Sequence, residues 1–206
     1  MTDAPANRLS LRDLRSALAG PFTLDVGAGR CAVITGPSGS GKSLFLRMVA
    51  DLDSHQGEVW LGDVARSGLH ARDWRRKVVY VGAETGWWSD EVAAHFEPAH
   101  KAPAAALADR LSLDPALLAA KVARLSTGER QRLALIRALV RQPAALLLDE
   151  PTAALDRDSV GRVEALLSER IAAGIILVMV THDPGQAQRL GSRHLVMQAG
   201  KLVEPA

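Results

Sequence analysis

The sequence predicts an α/β fold with a mainly parallel sheet, antiparallel strands beside it and a small helical segment inserted in the middle. Three observations carry this. Short apolar runs at Cys31–Thr35, Ala145–Asp149 and residues 175–181 each end in polar or Gly residues, the pattern of strands buried on both faces. Stretches rich in Ala, Leu, Glu and Arg follow at residues 42–50, 127–141 and 159–173 and read as helices, so strand and helix alternate. Residues 23–33 and 57–61, the latter ahead of the turn-like Gly62-Asp63, read as antiparallel strands beside the first parallel one.

The remaining elements follow from punctuation. Asp158-Ser159 before Val160 and Gly174 after Ala173 supply the start and stop of the third helix. Residues 91–125 are rich in Ala and Leu and interrupted by Pro98, Pro103 and Pro115, which predicts the inserted helical lobe. Residues 196–203, with a turn at Gly200-Lys201, predict a closing hairpin at the sheet edge.

Composition narrows the function classes. The chain has 206 residues, 48% of them hydrophobic, enough for one well-buried domain and short for two. A net charge of +2 gives no field that would favour nucleic acid or anionic lipid as a main partner. The single cysteine, Cys31, rules out a disulfide framework within the chain and fits a reducing compartment. The opening Met1-Thr2-Asp3-Ala4-Pro5 lacks a basic region followed by an apolar one, and no apolar run approaches the ~20 residues that span a bilayer. A soluble chain is expected, with any membrane role exercised through a partner.

The chemistry starts at Gly36-Pro37-Ser38-Gly39-Ser40-Gly41-Lys42-Ser43, a G-x-x-x-x-G-K-[ST] match placed between a predicted strand and a predicted helix that continues through Leu44. Glycines let backbone N–H groups turn inward around phosphate oxygens, and the helix N-terminus adds partial positive charge. Lys42 can reach the outer phosphates and the Ser43 hydroxyl can ligate Mg²⁺. A flexible Gly/Ser loop is the plainer reading, which the strand and helix context outweighs. The run Leu146-Leu147-Leu148-Asp149-Glu150 delivers two carboxylates to the C-terminal end of a buried strand, where open α/β sheets bind ligands. Asp149 suits Mg²⁺, held through water, and Glu150 suits a general base for the attacking water. Together these features predict a P-loop NTPase core using ATP and Mg²⁺.

Leu125-Ser126-Thr127-Gly128-Glu129-Arg130-Gln131-Arg132, directly ahead of a helix, resembles the signature of the ATP-binding cassette (ABC) family. It also reads as a polar helix cap, with Ser126 or Thr127 capping and Glu129 in the first turn, and both readings can hold. The resemblance extends through Pro151-Thr152-Ala153-Ala154-Leu155-Asp156, similar to the family's loop between the two sites, and His182, similar to its switch histidine.

This resemblance implies an ATP-hydrolysing subunit of a membrane transporter, with Glu150, His182 and Lys42 catalytic. Ser126, Thr127, Gly128 and Glu129 would serve in trans the ATP held by a second copy or a homologous ATPase subunit. Separate transmembrane permease subunits are the implied partners, and the implied place is the cytoplasmic, inner face of the plasma membrane. Residues 1–83 and 142–206 would form the nucleotide-binding core with its β subdomain, and residues 84–141 the helical subdomain with the signature. The alternative is a non-transport ATP-gated clamp or regulatory protein, disfavoured by the absence of a long coiled-coil insert or a basic tail. Cargo and direction are not legible in the motifs, because selectivity belongs to the membrane chain; the short cassette and the Glu84-Thr85-Gly86-Trp87-Trp88 stretch resemble short bacterial subunits of metal-ion export.

Three departures from the family stand out. Ala83 occupies the place of the glutamine that opens the loop into the helical lobe; the adjacent Glu84 is a candidate oxygen ligand for Mg²⁺, at the cost of a further negative charge near phosphates. The signature has Thr127 and Glu129 where glycine and glutamine are common. No aromatic residue precedes Phe22, so no ring for stacking on adenine is evident and loose base selectivity is expected. Trp87 and Trp88 fall where the family's subunits face their membrane partner, although packing within the lobe accounts for them equally well. Trp60 and Trp74 read as structural.

Overall fold

Two sheets with helices on both sides carry the chain in the computed structural model, which describes residues 8–204. In chain order the elements are β1 (Arg8–Arg15), β2 (Phe22–Gly27), β3 (Cys31–Thr35), α1 (Lys42–Val49), β4 (Gln56–Leu61), β5 (Val64–Ala65), α2 (Ala71–Lys77), β6 (Val78–Val81), α3 (Lys101–Arg110), α4 (Thr127–Leu139), β7 (Ala145–Asp149), α5 (Arg157–Ala172), β8 (Ile176–Val180), α6 (Pro184–Leu190), β9 (Arg193–Gln198) and β10 (Lys201–Val203). The larger sheet runs β10-β9-β3-β8-β7-β6, parallel throughout except for β10, which closes the edge antiparallel to β9. The smaller sheet is antiparallel, in the order β2-β1-β4-β5.

The period of two along the apolar runs divides the core. Ala32, Ile34, Leu147 and Val178 face α1 and the small sheet, while Cys31, Val33, Leu146, Leu148, Leu177 and Met179 face the side of α4, α5 and the helical lobe. Both faces are covered, which is why these strands carry almost no polar residues. The sheet therefore ends in a row of loops, and those after β3, β7 and β8 hold the phosphate loop, the two carboxylates and His182.

Several expectations need adjustment. Residues 23–33 are not one strand: the chain turns at Gly29, with φ 68°, so β2 joins the antiparallel sheet and β3 the parallel one. The antiparallel partner is β1, whose pairing with β4 reaches across about fifty residues, as Leu9 opposite Leu61 shows. The inserted lobe holds a single α-helix, α3; its other turns, Val92–His95, Pro98–His100, Pro115–Ala119 and Val122–Arg124, are 3₁₀. Two of its prolines open 3₁₀ turns, and Pro103 lies in the first turn of α3, where no N–H is missed. The third predicted helix begins two residues early because Asp156 caps it, accepting from Ser159 N–H at 2.9 Å and Ser159 Oγ at 2.8 Å.

Candidate functional site

The phosphate loop takes its shape from contacts that exclude side chains. At Gly36 φ is 141° and a Cβ would stand 2.3 Å from the Met197 carbonyl oxygen, so the strand-to-loop exit beside β9 needs glycine. Gly41, at φ 102°, caps α1 through its backbone alone, leaving the first N–H groups of the helix directed at the loop's interior. Lys42 is buried, 7% exposed, and its Nζ donates to the Gly36 and Pro37 carbonyls at 2.8 and 2.9 Å. Its charge thus stays under the loop, a short swing from anything the loop holds.

A cleft of about 650 Å³ brings together Ser38, Gly39, Ser40, Gly41, Lys42, Ser43 and Leu44 with Asp149, Glu150 and His182. Its fit to a phosphate group rests on chemistry already in place: inward backbone donors, a buried ammonium, and a Ser40 Oγ that is buried without a hydrogen-bond partner among the described residues. Ser43 and Asp149 offer hard oxygen donors, the kind Mg²⁺ takes when phosphates and water supply its other ligands.

Glu150 is held in an unusual way. Its φ of 50° is uncommon for a residue with a side chain and costs ~1–3 kcal/mol, so surrounding contacts must fix it. Its N–H donates to the Val180 carbonyl at 3.0 Å, and its carbonyl accepts from Gln131 Nε2 at 2.6 Å. The carboxylate accepts from His182 N–H at 3.3 Å, and His182 Nε2 lies 3.2 Å from Oε1. That last pair is close but outside hydrogen-bond geometry, so Oε1 has no hydrogen-bond partner among the described residues. Burial raises the Glu150 pKa above the ordinary carboxylate value and outweighs the lowering by His182. A raised pKa makes a carboxylate a better proton acceptor near neutral pH.

Asp149 is 4% exposed and accepts from Tyr80 Oη at 3.1 Å. Burial first, then the Asp149 charge, push the Tyr80 phenol above its usual value, so it stays a donor at neutral pH.

Other expected residues fall elsewhere. Ser126 and Glu129 form the reciprocal capping box of α4, with Glu129 N–H donating to Ser126 Oγ at 3.3 Å and Ser126 N–H to Glu129 Oε2 at 2.7 Å. With the exposed Thr127 and with Gly128, they lie outside the phosphate cleft of their own chain. Glu84 does not join Ser43 and Asp149: the turn after β6 puts Ala83 on the phosphate cleft and Glu84 on a neighbouring one. Trp74 is fully buried with its Nε1 donating to the Val49 carbonyl at 3.0 Å, a structural role as expected. The two lobe tryptophans divide, Trp87 packing partly against the core and Trp88 standing 70% exposed.

Two contributors were not singled out from the sequence. Gln131, 5% exposed, ties α4 to the loop after β7 through the Glu150 carbonyl and the Ala154 N–H. Leu18, 84% exposed, stands at the rim of the phosphate cleft, on a loop fastened to the β9–β10 turn by Gly20 N–H donating to the Gly200 carbonyl at 2.9 Å. A large apolar side chain at the rim of a phosphate cleft offers a nucleobase an aliphatic contact in place of a ring. Leu18→Tyr is expected to tighten ATP binding by about 5-fold or more, because stacking a base on an aromatic ring is worth ~1–3 kcal/mol. Titration calorimetry with ATP and GTP checks this; unchanged affinity for both places the base elsewhere.

A phosphate loop between a parallel strand and a helix, facing a strand-end carboxylate, defines a P-loop nucleoside triphosphatase. The chain belongs to the ABC transporter family, which it matches over residues 20–153. It is 35% identical over 189 residues to an Fe(3+) ions import ATP-binding protein of Rhodococcus jostii, covering 87% of this chain and 55% of that one. Against the glutamate/aspartate import ATP-binding protein of Escherichia coli it is 32% identical over 203 residues, covering 87% and 80%. The chain thus spans little more than half the length of the iron-import relative. A dimeric bacterial ABC transporter cassette has the same fold, with a TM-score of 0.79 at 23% identity over 94% of this chain and 96% of that one.

Proposed function

We propose that this chain is the ATP-binding and ATP-hydrolysing subunit of a membrane transporter, closing as a dimer over two Mg-ATP and driving separate transmembrane permease subunits. The observation that carries the reading is the division of the machinery. Loop, lysine, carboxylates and His182 meet in one cleft, while the signature residues lie outside it, free to complete the cleft of a second copy or of a homologous subunit.

Within the closed site, Lys42 and the α1 N-terminus hold the outer phosphates, and Ser126 and Gly128 of the opposite copy add donors on the far side. Ser43, and Asp149 through water, would hold Mg²⁺, which would supply charge neutralisation on the phosphate oxygens. Glu150 takes the proton of the attacking water, and His182 keeps Glu150 placed. Rate enhancement then comes from positioning and charge more than from covalent chemistry.

Among the described residues no helix is long and apolar enough to cross a membrane, so the membrane attachment we propose is peripheral, at the inner face, through the permease. The cleft lined by Trp87, Trp88, Arg137 and Arg141 suits that contact, with the Arg137 guanidinium 4.9 Å from both indole centroids. Several of the sequence relatives are named as import ATP-binding proteins, which supports import as the direction; their cargoes are too unlike one another to suggest one for this chain. Phosphate release by the purified chain tests the activity. Turnover saturable in Mg-ATP and abolished by EDTA is expected, whereas a chain that neither binds ATP nor releases phosphate sinks the reading.

A further inference from the structure

β6 runs parallel beside β7 with Tyr80 opposite Leu147. Two residues further along β7, Asp149 projects from the same face, because side chains alternate along a strand. That register lets the Tyr80 phenol reach past the strand end and donate to one oxygen of Asp149, Oδ2, at 3.1 Å. The same side chain lines the neighbouring cleft of about 540 Å³ together with Arg47, Trp87, Trp88 and Arg137. Among the described residues, Tyr80 thus both hydrogen-bonds to Asp149 of the phosphate cleft and walls the cleft proposed for the permease.

We infer that Tyr80 is a positioning residue for Asp149, fixing that carboxylate for Mg²⁺ and joining it physically to the Trp87–Trp88 cleft. The inference rests on the Mg-ATP reading above. A hydroxyl bonded to one carboxylate oxygen restricts rotation of the group and leaves the second oxygen for water bound to the ion. It does so as a neutral donor, adding no negative charge beside the phosphates.

The test is Mn²⁺ binding, followed by electron paramagnetic resonance, to the full chain with the non-hydrolysable analogue AMP-PNP. Tyr80→Phe removes the hydroxyl and keeps the ring. Half-saturating Mn²⁺ is expected to rise by about 3- to 10-fold, the effect of one ordinary hydrogen bond, because the lost bond orients the carboxylate and does not touch the ion; metal-free nucleotide affinity holds and Tm falls slightly. In an Asp149→Asn background the same change should add nothing, because Tyr80 then has no carboxylate to place. Equal Mn²⁺ affinity with and without the hydroxyl overturns the inference and leaves the ATPase reading intact. An equal rise in both backgrounds also overturns it, marking Tyr80 as packing alone. If the wild-type chain shows no nucleotide-dependent Mn²⁺ binding, the Mg-ATP reading itself falls.

Discussion

Glu150→Gln is expected to lower turnover by about 100- to 10,000-fold, the usual range for losing a general base, with ATP affinity changed by less than about 3-fold. Glutamine keeps the shape of the side chain, so the contact with His182 N–H and the strained turn at φ 50° survive. What is lost is the proton acceptor. Rapid-quench hydrolysis measured beside equilibrium nucleotide binding separates the two; a variant that turns over at the wild-type rate removes Glu150 from the chemistry.

Acidity gives an independent reading of the same residue. The folded-state pKa of Glu150 is raised by burial, so the acid limb of the wild-type rate should lie above the ~4.3 of an ordinary glutamate. Stability follows with a defined sign. A raised folded pKa means the native state holds its proton more tightly than the unfolded chain, so stability is lost as pH rises from the unfolded to the folded pKa. Above that window Glu150→Gln should melt higher than wild type, and below it the two should converge. Identical melting curves at all pH values contradict the assignment of the shift to burial of the charge.

Lys42→Ala is the second change with a large expected effect. The ammonium sits under the loop on two carbonyls, ready to turn toward anionic oxygens. A charged hydrogen bond of this kind is worth ~1.5–3 kcal/mol, so ATP should bind about 10- to 150-fold more weakly. ADP should lose less, since Lys42 is placed to reach the outermost phosphates. The variant also leaves the Gly36 and Pro37 carbonyls short of a donor, and a small fall in Tm is expected alongside. Calorimetric titration with both nucleotides decides the matter, and an equal loss for ATP and ADP would mean that Lys42 serves the loop more than the terminal phosphate.

How far the site was legible in the sequence depended on whether its parts are local. Residues 36–44 form one contiguous loop and helix start, and the motif carries its geometry with it. Asp149 and Glu150 were legible as a strand end because β7 is wholly apolar up to that point. The bonds of Gln131 to Glu150 and Ala154, of Tyr80 to Asp149, and the place of Leu18 at the cleft rim belong to tertiary neighbours 19, 23, 69 and more residues away, so no local pattern announces them. β1 escaped notice for a related reason: its charged residues Arg8, Arg12, Asp13 and Arg15 mask the apolar alternation, and its partner strand β4 lies far along the chain. Glu84 shows how little a turn tolerates guessing, since a shift of one residue separates the phosphate cleft, where Ala83 sits, from the cleft on its other side.

Two copies are expected to close over ATP, each completing the other's cleft with its signature residues. The most direct measurement is the mass in solution of the Glu150→Gln chain, by light scattering after size exclusion, with and without Mg-ATP. A mass that doubles only with ATP, and stays single when Gly128→Asp places a charge where the opposite phosphate would lie, is the predicted result. A chain that binds ATP yet remains single at every concentration would contradict the closed dimer.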